Sequence, residues 1–165
     1  MRFGFSYAGL LMLLALLLPN ILWTKRKPQG YEQCAAQENR ILLGLERAGQ
    51  VLVTALSLIV SDFNLRPWRP WNLWLAGAAA LMLLYELYWV RYFCSKRTLV
   101  DFYTSFCGVP LAGAVLPVTA FFLLAIYKRN VPLGGAVLLL GVGHIGIHWS
   151  AKQRIDPRSS AHPWK

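Results

Sequence analysis

Acidic residues are scarce in this 165-residue chain. Seven Asp and Glu stand against 17 Lys and Arg, and charged residues of all kinds make up 15% of the total. So little charge cannot cover the surface of a soluble domain of this size. Disorder is excluded as well, because a disordered basic protein is poor in apolar residues and this one is 56% hydrophobic. Cysteine is limited to three, an odd count that argues against a disulfide framework. Neither a serine nucleophile triad nor a phosphate-binding loop is visible.

What the chain does have is long apolar runs separated by short charged clusters, the arrangement of a polytopic membrane protein. Five spans are expected, at about 3–23, 41–61, 71–90, 102–127 and 131–150. At about 20 residues each they leave too little chain for a separate soluble domain. The expected fold is therefore all-α: one five-helix transmembrane domain over 1–150, followed by a basic tail over 151–165. The first run starts almost at Met1 and shows no small-residue cleavage site, which favours a retained span over a cleaved signal peptide. Asn130, Val131 and Pro132 form a helix start, a side-chain cap followed by proline in the first turn.

Two spans carry embedded charge. Only 14 uncharged residues separate Arg47 from Asp62, and 16 separate Arg69 from Glu86. Both stretches fall short of about 20 residues, so the helices are expected to extend through Glu46, Arg47 and Glu86.

Lys and Arg set the orientation. Eleven fall on the side of the first loop, the third loop and the tail, and five on the other side, with Arg47 inside a span. This places the N-terminus outside and the C-terminus in the cytoplasm. Cys34 and Cys94 then lie in cytoplasmic loops and Cys107 in the inner half of the fourth span, where thiols stay reduced. Trp23, Trp89 and Trp149 mark the inner interface, and Trp68, Trp71 and Trp74 the outer one.

The +10 net charge is read as this topology signal rather than as a nucleic-acid footprint. Lys25, Arg26 and Lys27 are placed to attract anionic lipid headgroups. The string Gly141-Val142-Gly143-His144-Ile145-Gly146 fits G-x-G-x-x-G. Only 19 residues follow it, too few for a dinucleotide fold, so its glycines are assigned to close helix approach. Small-xxx-small spacing at Gly108/Ala112 and Gly4/Ala8 suits either self-association or packing within one bundle. Pro110 and Pro117 are expected to kink the fourth span and free the carbonyls of Phe106 and Gly113.

The remaining signal is polar side chains at one depth. Glu46, Gln50, Thr54, Ser57 and Ser61 fall within about an 80° arc of the second span, so one face is polar throughout. Glu86 lies about a turn before the inner end of the third span, and His144 and His148 share one face of the fifth. With Arg47, these residues define a candidate polar pocket: Glu46, Arg47, Gln50, Glu86, His144 and His148. Arg47 is placed to reach Glu86, which leaves the other carboxyl to be protonated, solvated or paired with a histidine. No metal or haem is expected. H-x-x-x-H lacks the glutamate of H-E-x-x-H, and no other span carries a histidine.

Several strings act together: Leu18-Pro19-Asn20 with Trp23, Glu38-Asn39-Arg40, Glu46-Arg47-Ala48-Gly49-Gln50, Ser61-Asp62-Phe63-Asn64 and Gly143-His144-Ile145-Gly146-Ile147-His148. With them the chain resembles a group of small, multi-pass bacterial membrane proteins that carry no assigned activity. The resemblance implies a multi-pass location in the bacterial cytoplasmic membrane and no transferable chemistry. Three functions are compatible with the residues. The first is a cytoplasm-facing pocket for a small solute, ion or lipid headgroup, without a cofactor. The others are an accessory subunit that associates with itself or a partner, and an inner-leaflet enzyme using Glu46 or His144 as base, although no catalytic motif is recognised.

Overall fold

The computed structural model describes residues 2–35 and 38–155. The chain is all-helical, with α1 (Tyr7–Thr24), α2 (Tyr31–Ala35), α3 (Arg40–Ile59), α4 (Leu73–Cys94), α5 (Leu99–Tyr103), α6 (Ala112–Tyr127) and α7 (Val131–Ile155). Four stretches are long and apolar enough to cross a membrane: Tyr7–Thr24, Arg40–Ile59, Pro70–Cys94 and Val131–Ile155. Leu11, Leu18, Leu83, Leu87, Leu138 and Val142 all present apolar side chains outward from these helices. Such faces suit a hydrocarbon solvent and would be a liability in water.

Local chemistry fixes most helix ends. The Ser6 hydroxyl accepts from Gly9 N–H at 2.9 Å and starts α1, and Asn39 accepts from the first amides of α3. Thr98 and Asp101 form a reciprocal capping box at α5. Asn130 Oδ1 accepts from Leu133 N–H at 2.9 Å, so the expected start of α7 is the one observed. Lys152 and Arg154 belong to the last turn of α7, where cations complement the helix dipole. The basic residues Arg158 and Lys165 of the expected tail lie outside the described residues.

The apolar run 102–127, expected as one helix, is interrupted. After α5 the chain turns through 104–111 and only then enters α6, which has 16 residues. At about 1.5 Å per residue α6 is about 24 Å long, short of the roughly 30 Å hydrocarbon core. The cause is Pro110, which disfavours helical geometry at Val109. Phe106 and Val109 instead exchange two backbone hydrogen bonds, so the Phe106 carbonyl expected to be free accepts from Val109 N–H at 2.9 Å. Cys107, Gly108 and Leu111 take positive φ in this turn, and burial of Leu111 at 3% exposure holds its left-handed backbone in place. Pro117 does lie within α6, where it denies the Gly113 carbonyl its helical donor.

In space, α3 packs along α7, α7 against α6 and α6 against α4, while α1 bridges α3 and α4. The extended segment before α1 lies against the end of α3. Gly4 N–H donates to Ile59 O at 2.8 Å and Ser6 N–H to Leu58 O at 2.9 Å. Asp62 accepts from Arg2 N–H and from the Arg66 guanidinium, each at 2.7 Å. These contacts, the backbone hydrogen bond first, hold its carboxyl below the usual range.

The α3–α7 seam depends on two glycines. A Cβ on Gly143 would stand 2.4 Å from Glu46 N, and one on Gly49 would stand 2.5 Å from Leu140 Cα. Backbones this close leave no room for any side chain. Gly143→Ala is therefore expected to cost about 1–3 kcal/mol through overpacking. Gly135→Ala, on the same helix with nothing within 4 Å, should be neutral or favourable by up to about 1 kcal/mol. Unfolding of the two variants in mixed micelles checks this, and equal effects would refute the seam.

Candidate functional site

The same close approach assembles the polar site. Because the backbone of α7 touches that of α3 at Gly143 and Glu46, the next residue along α7 meets the Glu46 side chain directly. His144 Nδ1 lies 2.5 Å from Glu46 Oε1, with the side chains 23% and 14% exposed respectively. The contact is a hydrogen bond between ring and carboxyl. With Glu46 as carboxylate, Nδ1–H donates and Nε2 is left as the acceptor of the ring. Gln50, one turn along α3, donates to the same Glu46 oxygen at 3.4 Å. His148, one turn along α7, stands with its ring 4.5 Å from that of His144 and flanked by Phe102 and Tyr103.

Gln50 and the two histidines stand at one end of a cavity of about 380 Å³ between α1, α3, α4, α5, α6 and α7, with Glu46 held against His144 outside the lining. Gln50, His144 and His148 all contribute to its wall, and the accessible surface of His148 faces this interior rather than bulk solvent. At the same end Asn20 donates to Leu16 O at 2.7 Å and to the Tyr85 hydroxyl at 2.8 Å. Both donors of its amide are thereby used, and its carbonyl oxygen remains as an acceptor. Trp89 is 3% exposed, and its Nε1–H lies beside the Tyr85 hydroxyl without meeting it in hydrogen-bond geometry. The other end is apolar, built from Leu13, Val53, Phe121 and Leu140. Gly113, whose carbonyl lacks its usual helical donor, and Pro117 are part of the wall contributed by α6.

Four of the six residues singled out in the sequence converge here: Glu46, Gln50, His144 and His148. Arg47 and Glu86 do not join them. Arg47 is exposed and makes no ion pair among the described residues, since it points about 100° away from Glu46. Glu86 lies on the flank of α4, outside the cavity wall, with one carboxylate oxygen buried and without a hydrogen bond. The expected Arg47–Glu86 pair does not form.

Sequence reasoning missed Asn20 and the aromatic wall. Asn20 directly follows Pro19 inside an apolar run, and that polar residue in a proline-broken turn was the available signal. Glu38 was also missed as a neighbour of the site. It sits just before α3, and burial first, then the negative charge of Glu46, raises its carboxyl above the ordinary range. Among the described residues no cluster of three or more His, Cys, Asp or Glu is placed to hold a metal ion.

Comparison with protein-family models, with curated proteins and with solved structures finds no match to this chain.

The Glu46–His144 contact should be strongly coupled. A double-mutant cycle of Glu46→Gln and His144→Ala is expected to give about 1–3 kcal/mol of interaction energy, the range for a buried hydrogen bond to an ionised group. Additive effects on the unfolding midpoint would mean that the two side chains do not form this hydrogen bond.

Proposed function

We propose that this is a small multi-pass protein of the bacterial cytoplasmic membrane, its N-terminus outside and its C-terminus in the cytoplasm. Its cavity binds a small ligand through a polar group at Glu46, His144 and His148. The observation that carries this reading is the convergence of those side chains with Gln50 at one end of a 380 Å³ cavity. Sites for small molecules are concave and mostly apolar, with a few placed polar groups, and about 300–1,000 Å³ in size. Ionisable groups kept within a membrane span are costly unless they have a task.

The orientation rests on the Lys and Arg asymmetry. The bundle end bearing α2 and α5 then faces the cytoplasm, and the short α6 completes the domain as a fifth, partly spanning helix. Lys25 and Arg26 would meet anionic headgroups there, while Lys27 is held by Glu32 at 2.5 Å.

A binding site also explains why the Glu46–His144 pair is lodged beside a cavity rather than in a filled core. A purely structural pair gains nothing from empty space on one side.

The orientation is checked at Cys94, which is exposed. In a variant retaining only that cysteine, a membrane-impermeant maleimide should label inside-out vesicles and not intact cells. The reverse pattern would invert the topology. The pocket is checked by thermal unfolding with glycerol, ethanolamine, potassium, magnesium and short-chain phosphatidylglycerol as probes. One or more of these should raise the wild-type midpoint by several degrees, since ligand at about 100 times its Kd adds about 2.7 kcal/mol. The shift should shrink in Glu46→Gln and in His144→Ala. No response to any probe, or equal shifts in both variants, would sink the binding reading.

A further inference from the structure

The cavity has a direction and a side door, and together these narrow the chemistry of its ligand. Along α7 its wall changes from Leu140 to His144 to His148, one turn at a time. Along α1 it changes from Leu13 through Leu16 and Leu17 to Asn20. Apolar surface therefore lies toward mid-helix and hydrogen-bonding groups toward the α5 end. In the orientation proposed above, this gradient matches that of an inner-leaflet lipid, with its head at the cytoplasmic boundary and its chain toward the bilayer centre.

The side door lies between α1 and α3. These helices touch near Gly9 and Ser57, where a Cβ on Gly9 would stand within bonding distance of the Ser57 carbonyl oxygen. Toward the other end, Leu17 of α1 and Gln50 and Thr54 of α3 line the cavity and are also exposed on the outer surface. The gap at these three residues opens sideways, onto the face that lipid would occupy. A molecule already dissolved in the bilayer could enter there without crossing water.

The head end selects against charge. None of the residues lining the cavity is Lys, Arg, Asp or Glu. A phosphate or carboxylate head would be stripped of water with no fixed cation to meet it, and with the Glu46 carboxyl directly behind His144. What the wall offers is neutral: the Nε2 acceptor of His144, the ring nitrogens of His148 and the Asn20 carbonyl oxygen. A hydroxyl both donates and accepts, so it satisfies such a set. The size of the cavity, at the lower end for small-molecule sites, suits one chain rather than two.

We propose that the cavity is a site for a single-chain, uncharged lipid alcohol that enters from the inner leaflet between α1 and α3 and places its hydroxyl on His144. This rests on the binding reading above and adds the ligand class and the route.

The test uses the full chain in phosphatidylcholine nanodiscs, with bound lipid counted by native mass spectrometry. Monooleoylglycerol should be retained at one molecule per chain. Methyl oleate, which has the chain but no donor, and oleate, which carries a charge, should each be retained about tenfold less, the worth of one buried hydrogen bond. His144→Ala should lower monooleoylglycerol retention by a similar factor. Leu17→Trp and Thr54→Trp lie on the exposed rim, where a larger side chain is accommodated without repacking the core, and they should lower it by obstructing the door. Equal retention of methyl oleate or oleate would overturn the alcohol assignment, and unchanged retention in both tryptophan variants would overturn the lateral route. A Glu46-dependent response to glycerol, ethanolamine or the ions, with no retained monooleoylglycerol, would remove the lipid proposal and leave the pocket reading standing. Failure of every probe would remove both.

Discussion

The contact on which the rest of this structure depends is the approach of the α3 and α7 backbones at Gly49 and Gly143. Lipid tails are as apolar as leucine, so helices in a membrane gain little by hiding apolar surface from their solvent. Close packing and polar contacts must supply the association instead. Gly143 does both: it brings the two backbones together, and it brings His144 within 2.5 Å of Glu46. A side chain at 143 would separate the helices and strand a carboxyl and an imidazole in an apolar setting. The packing motif and the polar site are in this sense one feature.

α1 is attached in a different way. Its N-terminal end is tied to α3 by backbone hydrogen bonds from Gly4 and Ser6 and by the close contact at Gly9. Its other end is tied to α4 through Asn20 and Tyr85. Between these two attachments lies the cavity. The interrupted segment after α5 contributes to the same space, because α6 begins only at Ala112 and the turn before it brings Leu111 and the α5 aromatics to the α5 end of the cavity. A continuous helix over 102–127 would have carried Phe102 and Tyr103 along the line of α6, away from His148. The proline that spoils the helix therefore helps to close the cavity.

Much of the fold was legible because its causes are local. Apolar runs, cap residues and glycine spacing indicated four of the long helices and a close helix approach at the glycines of 141–146, for a helix reads its own periodicity and its own termini. The break at Pro110 was misjudged. A single proline is tolerated in many membrane helices, and Pro117 in the same run is tolerated here. The difference lies in Cys107, Gly108 and Leu111, whose left-handed backbone, held at Leu111 by burial, leaves no mark in composition. In the site, the fold brings Glu46, Gln50, His144 and His148 together, but matched depth, the signal for Glu46, Glu86 and His144, does not give rotation about a helix axis. Arg47 and Glu86 share the depth and point elsewhere.

By itself, then, the sequence determined an all-helical chain, its long apolar helices and where along them polar side chains occur, since hydropathy, capping and helical period act over a few residues. Only the tertiary structure decided which of those side chains meet and that a cavity stands beside them. Those outcomes depend on how far apart the helices stand and how each is turned about its axis. Both are set by contacts between residues about 100 positions apart, such as Glu46 and His144, which no local pattern records.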